Sequence, residues 1–405
     1  MKKDNKVKIL YIGPVPPEVG GQRYGGVAIH LWELATYARK NGYDVYILAN
    51  TTSSFIKYGI KVIGSHCNKL SKAFKAVKFR LTLDKGRTGF LKFLSFKERL
   101  GILYIAYYLK QVLETIKPDL IHVHSLLNHY NLALKILQPY IPIVITDHES
   151  YYWATRSEKD LIRVRIALSI TSSVICVSLH VKERLEQLML SNLNYKPKLH
   201  VIHNPIDVSK MPLLNREELR KKWGEKRIVF FSGVTEPIRK KRLDLLLKAF
   251  TISNYLKNNC KLIILTGGEG VRYAKEYISQ YKIDGVVLSR RPWNEVVEYY
   301  TVADVFVMPS VSEGFGLVYV EALLAGTPVV GYYETIKELE ELLDIYIGEG
   351  FDPSREGEKE LAEKIEKVLK MKFDRELLRR RVIEVLSWDR KFAEFDAVYK
   401  EVLKR

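Results

Sequence analysis

Short, nearly continuous apolar runs recur along the chain and alternate with stretches of helical periodicity. Such runs are typical of strands buried on both faces of a parallel sheet. In the first half they occupy residues 7–13, 43–49, 118–124, 141–146 and 173–178. In the second half they occupy residues 227–233, 261–266, 286–288 and 303–308. The pattern predicts an α/β protein built from two strand-and-helix halves.

Between these runs the apolar residues recur at helical spacing. A helix over residues 27–40 carries one apolar face: Val27, Leu31, Leu34, Ala35 and Ala38. Further helices are predicted over residues 128–137, 179–189, 243–250, 295–300, 317–324, 358–373, 374–386 and 388–403. The segment that follows Gly331 is predicted to be a loop.

Residues 301–331 combine a buried strand, a loop with two glycines, a short helix and the start of the next strand. The helix over residues 317–324 stops near Gly326, where glycine often ends a helix. This βαβ unit places its loop at the carboxyl edge of a parallel sheet. Open α/β sheets bind their ligands at that edge.

Two glutamates stand in this unit, Glu313 in the loop and Glu321 on the helix eight residues later. The helix start offers free backbone N–H groups near residues 315–318 and a positive dipole end, which together form a phosphate site. Glu321 can accept hydrogen bonds from a ribose diol, and Glu313 faces whatever lies beyond the phosphate. This arrangement describes a nucleotide sugar; alternatively, Glu321 is a solvated helix residue and Glu313 a turn residue.

The letters S-E-G-F-G-L, followed by E-A-L-L-A-G-T-P-V-V, resemble the E-x7-E signature of family 4 of the retaining glycosyltransferases. The resemblance implies the GT-B fold: two Rossmann-like domains with parallel sheets facing across a cleft, the donor lying mainly on the second. It implies that Glu321 holds the donor ribose and that Glu313 contacts the donor sugar. Backbone groups for the sugar and the diphosphate are implied at Gly314, Phe315, Gly316, Leu317 and Val318.

The same resemblance assigns sites in the first half of the chain. The letters T-x-H at the end of strand 141–146 match the motif whose histidine touches the transferred sugar, which makes His148 a catalytic candidate. Glu149 stands where the family usually has a small residue. The glycine-rich loop before the first helix, with Gly25 and Gly26, is implied to reach toward the donor phosphates and the acceptor; alternatively, these glycines only make a turn.

Residues 234–242 resemble the family's phosphate loop, which pairs an arginine just after a glycine with a lysine several residues on. Gly233 matches the glycine, and Lys241, or Lys240 one position earlier, matches the lysine. Val234 stands at the arginine position. Cations here would stabilise the negative charge that a departing diphosphate gains. Alternatively, the loop is a solvated basic turn.

Three arginines are further candidates. Arg239 or Arg242 could supply the cation that Val234 lacks, and Arg291 stands where the family places a nucleobase against the backbone. No G-x-G-x-x-G follows the first strand, which argues against a dinucleotide site. The spacing of histidines, acids and cysteines suggests no metal cluster, and the resemblance implies no metal and no cofactor besides the nucleotide sugar as co-substrate.

The 405 residues suffice for two domains, predicted at 1–207 and 208–386. The resemblance implies that a final helix, residues 387–405, crosses back to the first domain. The formal net charge of +18 favours anionic partners. No apolar run reaches the ~20 residues that span a bilayer, and the charged start does not read as a signal peptide. Three scattered cysteines fit a reducing cytoplasm, so a cytoplasmic location, peripheral at the inner membrane face, is expected.

Residues 66–110 are dense in lysine and arginine, with Asp84 and Glu98 as their only acids. Apolar and aromatic residues lie among the bases, which favours contact with an anionic membrane surface. Two alternatives stay open: interleaved bases and aromatics that bind nucleic acid, and a pair of ordinary helices with solvated lysines.

The sequence therefore predicts retaining, metal-independent transfer of a hexosyl group from a nucleotide diphosphate sugar to a hydroxyl of a glycan, glycolipid or small molecule. The resemblance implies front-face attack, with the departing phosphate taking the acceptor proton. The alternatives are a phosphorylase or hydrolase, and a non-catalytic nucleotide-sugar-binding or membrane-surface module. A nucleic-acid binder is not expected, because the stretch from Glu313 to Glu321 argues against it. The donor base, the sugar, the acceptor and the oligomeric state are not determined.

Overall fold

A computed structural model describes residues 6–21, 25–51, 53–64, 69–148, 157–190, 196–233 and 238–404. The chain divides into two compact units. Unit 1 comprises Met1–Asn204 and Lys391–Arg405, and unit 2 comprises Pro205–Arg390. No helix of the described ranges is long and apolar enough to cross a membrane.

Unit 1 is built on an eight-stranded sheet with the order β3-β4-β2-β1-β5-β6-β7-β8. Its strands are β1 (Lys8–Ile12), β2 (Asp44–Ala49), β3 (Phe55–Lys57), β4 (Ile60–Gly64), β5 (Leu120–His124), β6 (Ile143–Asp147), β7 (Ser173–Cys176) and β8 (Lys198–Val201). Neighbouring strands are parallel except for the edge hairpin of β3 and β4. Every residue of β5 and β6 is buried, as the continuous apolar runs predict.

The helices of unit 1 cover its sheet and include a turn of 3₁₀ helix at Pro17–Val19 and a longer one at Lys85–Phe93. The α-helices are α1 (Gly26–Lys40), α2 (Lys69–Leu81), α3 (Phe96–Ile116), α4 (His129–Leu137), α5 (Glu158–Leu168) and α6 (Leu179–Leu190). The C-terminal residues from Lys391 onward also belong to this unit. The buried hydroxyl of Tyr399 lies 3.1 Å from that of Tyr11, which ties the end of the chain to β1.

Unit 2 is built on a six-stranded parallel sheet with the order β11-β10-β9-β12-β13-β14. Its strands are β9 (Arg227–Ser232), β10 (Cys260–Leu265), β11 (Gly285–Leu288), β12 (Val305–Met308), β13 (Val329–Tyr332) and β14 (Gly348–Phe351). The strand order reverses between β9 and β12, which is the switch point of a doubly wound sheet.

A 3₁₀ turn at Val208–Lys210 precedes the helices of unit 2. These are α7 (Arg216–Arg220), α8 (Ile238–Lys241), α9 (Leu243–Ile252), α10 (Asn254–Asn259), α11 (Glu269–Tyr281), α12 (Trp293–Val302), α13 (Leu317–Leu324), α14 (Tyr333–Leu343), α15 (Glu358–Lys370), α16 (Arg375–Leu386) and α17 (Trp388–Leu403), the last of which continues into unit 1.

The predicted α/β organisation is confirmed, and α13 has the bounds expected from the sequence. The prediction of a loop after Gly331 is wrong, because α14 begins at Tyr333. Ile336, Leu339 and Leu343 are buried at helical spacing on one side of α14, so the hydrophobic pattern contained the signal.

Candidate functional site

Two loops of unit 2 meet at the switch point of its sheet. β9 and β12 are adjacent, and the chain leaves their carboxyl ends toward α8 and α13 respectively. The backbone N–H of Val311 donates to the carbonyl oxygen of Lys240 at 3.1 Å. The loops that the sequence assigned to phosphate and to sugar are therefore hydrogen-bonded to each other.

An ion pair between Lys241 and Glu313 joins the same two loops. Their side chains are only 18% and 11% exposed, so water screens the attraction less than at an open surface. Gly233 lies against this pair, since a Cβ on it would stand 3.6 Å from Cγ of Lys241. The structure thus brings together three residues singled out from the sequence, Glu313, Lys241 and Gly233, at the carboxyl edge of the sheet, where open α/β sheets bind ligands.

The start of α13 depends on glycine. Gly316 has a φ of 74°, in the left-handed region, and a Cβ there would lie 2.5 Å from the ring of Tyr319. This turn directs the chain from the loop into the helix, whose first amides, those of Leu317 and Val318, precede the intrahelical bonds. Such amides and the positive helix end suit a phosphate.

Tyr319, which the sequence reasoning did not identify, holds this helix start in place. Its buried hydroxyl donates to the carbonyl oxygen of Met308 at 2.6 Å and accepts from the N–H of Tyr332 at 3.0 Å. A Cβ at Gly331 would stand 2.2 Å from the Tyr319 ring, so the side chain fills the space that this glycine leaves. Tyr319 therefore fixes α13 against the carboxyl ends of β12 and β13.

Glu321, on the second turn of α13, is oriented by a buried tyrosine. The hydroxyl of Tyr300 donates to Oε2 of Glu321 at 2.7 Å. Burial raises the pKa of Tyr300 well above its ordinary value, so the phenol remains a donor at physiological pH. The half-buried carboxylate of Glu321 is thereby held at a defined place beside the helix start.

The arginine candidates of unit 2 have protein partners. Nε and Nη2 of Arg242 donate to the Asp244 carboxylate at 3.2 and 3.3 Å, which holds Arg242 at the start of α9. Arg291 is exposed and forms an ion pair with Glu295 at 3.8 Å. Three other predicted features lie outside the described residues: Val234, Glu149 and the side chain of Arg239.

Three histidines converge in unit 1. His124 ends β5, His148 follows β6, and His30 lies on α1. Nδ1 of His124 and Nε2 of His148 are 3.0 Å apart, and the ring of His30 stands edge-on to that of His148 with centroids 4.9 Å apart. One nitrogen from each of the three rings falls within 4.8 Å of the others, so this group could ligate a metal ion. The cluster corrects the expectation that no such group exists.

A fourth histidine, His122 on β5, packs against this cluster. It stacks on His124 and lies 2.8 Å from the Tyr399 hydroxyl and 2.7 Å from that of Thr146. Burial lowers the pKa of His122 and of His148 to about 3. Burial and the neighbouring rings also lower the pKa of His30 and of His124. The rings are therefore neutral at pH 7 and act as hydrogen-bonding groups rather than acids.

These neutral histidines predict acid-sensitive folding. Because their folded-state pKa values lie below the ordinary value of about 6.5, the unfolded chain binds more protons below that pH. The free energy of unfolding should therefore fall as the pH drops from about 6.5 toward 3, and between pH 7 and pH 5 His122 and His148 should each contribute a loss of about 2 kcal/mol. Urea unfolding at both pH values measures this loss. His122→Gln should make it smaller by about 2 kcal/mol, and an unchanged loss in this variant would contradict the assignment.

The glycines before α1 are exposed. Gly25 has a φ of 132° and is the N-cap residue, and a Cβ there would meet no atom within 4 Å. Its positive φ is the reason for glycine at this position, and the space around it is open. Gly26 is the first residue of α1 and is also exposed.

Comparison with known proteins identifies the family. The model described as Glycosyltransferase Family 4 matches residues 24–210, and the model described as Glycosyl transferases group 1 matches residues 215–384. The alpha-monoglucosyldiacylglycerol synthase of Streptococcus pneumoniae is 28% identical over 330 residues, which cover 76% of this chain and 68% of that protein.

Solved structures share the fold. Sucrose-phosphate synthase from Thermosynechococcus elongatus superimposes with a TM-score of 0.73 at 17% identity, covering 98% of this chain and 100% of that one. Anabaena HepE, in a complex with UDP-glucose, superimposes with a TM-score of 0.70 at 17% identity, covering 97% and 99%. Together with the two family models, these likenesses show that the chain belongs to the group 1, family 4 glycosyltransferases and has the GT-B fold.

Proposed function

We propose that this glycosyltransferase moves a hexosyl group, with retention of configuration, from a UDP-sugar to an acceptor hydroxyl. The observation that carries the proposal is the Lys241–Glu313 pair at the switch point of unit 2, beside the start of α13. The complex of Anabaena HepE with UDP-glucose supports the choice of uracil as the donor base.

Each candidate group has a role in the proposed reaction. The amides at the start of α13 and the ammonium of Lys241 bind the diphosphate and stabilise the charge it gains as its bond to the sugar breaks. The acceptor oxygen bonds to the anomeric carbon on the same face, and its proton passes to the departing phosphate. Glu313 holds the sugar and Glu321 the ribose, while His148 has the role that the family resemblance implies, contact with the transferred sugar through a neutral ring.

The acceptor is proposed to be a hydroxyl borne by a lipid, reached at the inner face of the membrane. The name of the Streptococcus pneumoniae relative describes a glucosylated diacylglycerol, which favours a glycolipid acceptor over a soluble glycan or a small molecule. The basic composition of residues 66–110 supports contact with anionic lipid.

Thermal unfolding in the presence of UDP-, GDP- and ADP-sugars tests the donor. Stabilisation by one donor, growing as RT ln(1 + [L]/Kd), is expected for a UDP-sugar. The transfer is proposed to need no metal or other cofactor, so the shift and subsequent turnover should be equal in EDTA and in Mg²⁺. A loss of turnover in EDTA would instead direct attention to the three histidines of unit 1.

Several outcomes would replace the proposal. Binding of a donor without turnover on any acceptor would indicate a non-catalytic module, and sugar 1-phosphate release that depends on inorganic phosphate would indicate a phosphorylase. An inverted anomeric configuration in the product, read from its proton NMR coupling constant, would refute retention. Binding to any DNA or RNA with a steep salt dependence would indicate a nucleic-acid protein.

Tyr300→Phe should weaken UDP binding about tenfold, because it removes one hydrogen bond to a charged carboxylate, a bond worth about 1.5–3 kcal/mol. Glu321 would then lack the donor that orients it toward the ribose. Isothermal titration with UDP measures the effect. Tyr299→Phe is the matched control, since the Tyr299 hydroxyl bonds to Glu295 at 3.3 Å. Equal losses in the two variants would argue against a special role for Tyr300.

A further inference from the structure

Helix α2 buries one face inside unit 1. Ala76 and Phe79 are buried, and the ring of Phe79 meets that of Tyr107 on α3 with centroids 5.9 Å apart. Lys72 lies toward the same side, with its ammonium 5.4 Å from the centroid of the Tyr104 ring. In the described part of α2, this face is the one that packs on α3.

A second apolar face of α2 points to solvent. Phe74 is 71% exposed, Val77 is 50% exposed and Leu81 is 82% exposed. These positions follow the i, i+3, i+7 spacing, so the three side chains fall within an arc of about 60° on the side of the helix opposite Ala76 and Phe79. Single exposed apolar residues are ordinary, whereas an aligned row of three on one exposed helix face is not.

Positive charge flanks this apolar row. The sequence of α2, KLSKAFKAVKFRL, contains no acid. At about 100° of rotation per residue, Lys78 lies beside Phe74 on one side of the row and Arg80 lies beside Val77 on the other. The helix thus combines an exposed apolar row with basic side chains that can point away from the protein, as long lysine and arginine side chains do at membrane surfaces.

We propose that this face of α2, formed by Phe74, Val77 and Leu81 with Lys78 and Arg80 beside them, docks on an anionic lipid bilayer. The apolar side chains enter the boundary between headgroups and acyl chains, and the ammonium of Lys78 and the guanidinium of Arg80 lie among anionic headgroups. The inference deepens the proposed function by naming the surface that brings the enzyme to a lipid-borne acceptor, although docking does not require turnover.

Charge and size favour a bilayer over a protein partner. Three side chains expose far less than the about 800 Å² that each partner of a stable protein complex buries. Lysine is depleted at protein interfaces, whereas lysine beside an apolar helix face is typical of helices that lie on anionic membranes. A bilayer also needs no shape complementarity, which suits an exposed row on the rounded surface of a helix.

Co-sedimentation of the full chain with vesicles tests the docking face. Vesicles of phosphatidylcholine with about one-third phosphatidylglycerol should bind the protein, and pure phosphatidylcholine should bind it weakly. The triple variant Phe74→Gln, Val77→Gln, Leu81→Gln should bind at least about tenfold more weakly while staying helical, since glutamine is a good helix former. Leu213→Gln is the matched control, because Leu213 is 77% exposed in unit 2 and should leave binding unchanged.

A second pair of variants separates local charge from net charge. Lys78→Glu with Arg80→Glu should abolish the preference for anionic vesicles, and raising the salt from about 0.1 to about 0.5 M should do so in the wild type. Lys337→Glu with Lys359→Glu changes the net charge equally on exposed sites of unit 2 and should have little effect. Equal losses of vesicle binding in both pairs of variants would overturn the proposed docking face, because they would show that binding depends only on the net charge of the protein.

Other outcomes would overturn the proposal as well. Unchanged vesicle binding in the triple variant would show that α2 is not the docking face. A self-association that the triple variant abolishes, measured by analytical ultracentrifugation in the absence of lipid, would assign this face to a second copy. Measuring UDP-sugar binding separates the two proposals. Loss of vesicle binding with intact donor binding in the triple variant supports docking. Absence of donor binding in the wild type would refute only the proposed transfer.

Discussion

Glu313→Ala should reduce turnover by at least about 100-fold, the loss seen when one group that stabilises a transition state is removed, while UDP binding stays intact or becomes tighter. The carboxylate pairs with Lys241 in the structure and is proposed to hold the sugar. Its removal takes away a sugar contact and also leaves the Lys241 ammonium without this competing partner, so the ammonium is more available to the diphosphate. Initial rates with a UDP-sugar and calorimetry with UDP measure the two effects separately.

Two further variants help to interpret the effect of Glu313→Ala. Glu313→Gln keeps the size and hydrogen-bonding capacity of the side chain without its charge, so partial turnover would show that hydrogen bonding to the sugar carries part of the effect. Glu341→Ala is the matched control, since Glu341 pairs with Lys337 at 3.9 Å on an exposed face of α14. Wild-type turnover in Glu313→Ala would remove Glu313 from the site.

Lys241→Ala should lower kcat/KM by about 100- to 1,000-fold and weaken UDP binding as well, because a mostly buried cation opposite a departing diphosphate acts in both the bound and the transition state. The expected loss is larger in turnover than in binding, since the phosphate gains negative charge as the sugar leaves. Calorimetry with UDP and rate measurements at saturating donor distinguish the two contributions.

The neighbouring lysine is the control for register. Lys240 contributes its backbone carbonyl to Val311, a bond that Lys240→Ala preserves, so this variant should keep most of the activity. If Lys240→Ala alone abolished diphosphate binding, the assignment of the two lysines would be reversed.

Glu313→Ala combined with Lys241→Ala should reduce turnover by less than the product of the two single reductions, because residues in contact are not independent.

Local pattern predicted much of the fold. Strands such as β12 and β13 are short apolar runs bounded by turn residues, and the helix between them, α13, begins after a glycine and ends before one. These are short-range signals, so the sequence contains them in full. The edge hairpin of β3 and β4 was missed, since its strands are short and half-exposed. The error at α14 arose because the segment after Gly331 was predicted to be a loop although its apolar residues have helical periodicity.

Motif spacing also singled out the candidate site residues of unit 2. Glu313 and Glu321 lie on one loop and the helix that follows it, so their separation along the chain carries information about their separation in space. Tyr300, by contrast, lies on α12 and gave no motif, although it bonds to Glu321. Tyr319 gave no motif either, because the contact between its ring and Gly331 depends on the packing of α13 against β13.

The amino-acid sequence alone determined the alternation of strands and helices, the glycine-bounded start of α13 and the family of the chain, because each depends on residues that are neighbours along the backbone. The tertiary structure alone decided that Lys241 pairs with Glu313, 72 residues away, and that His30, His124 and His148 meet at one sheet edge. It also decided which apolar residues of α2 remain exposed. The physical reason is that strand order and helix packing set the distances between segments that are remote along the chain. Strand order and helix packing are established only when the whole core assembles.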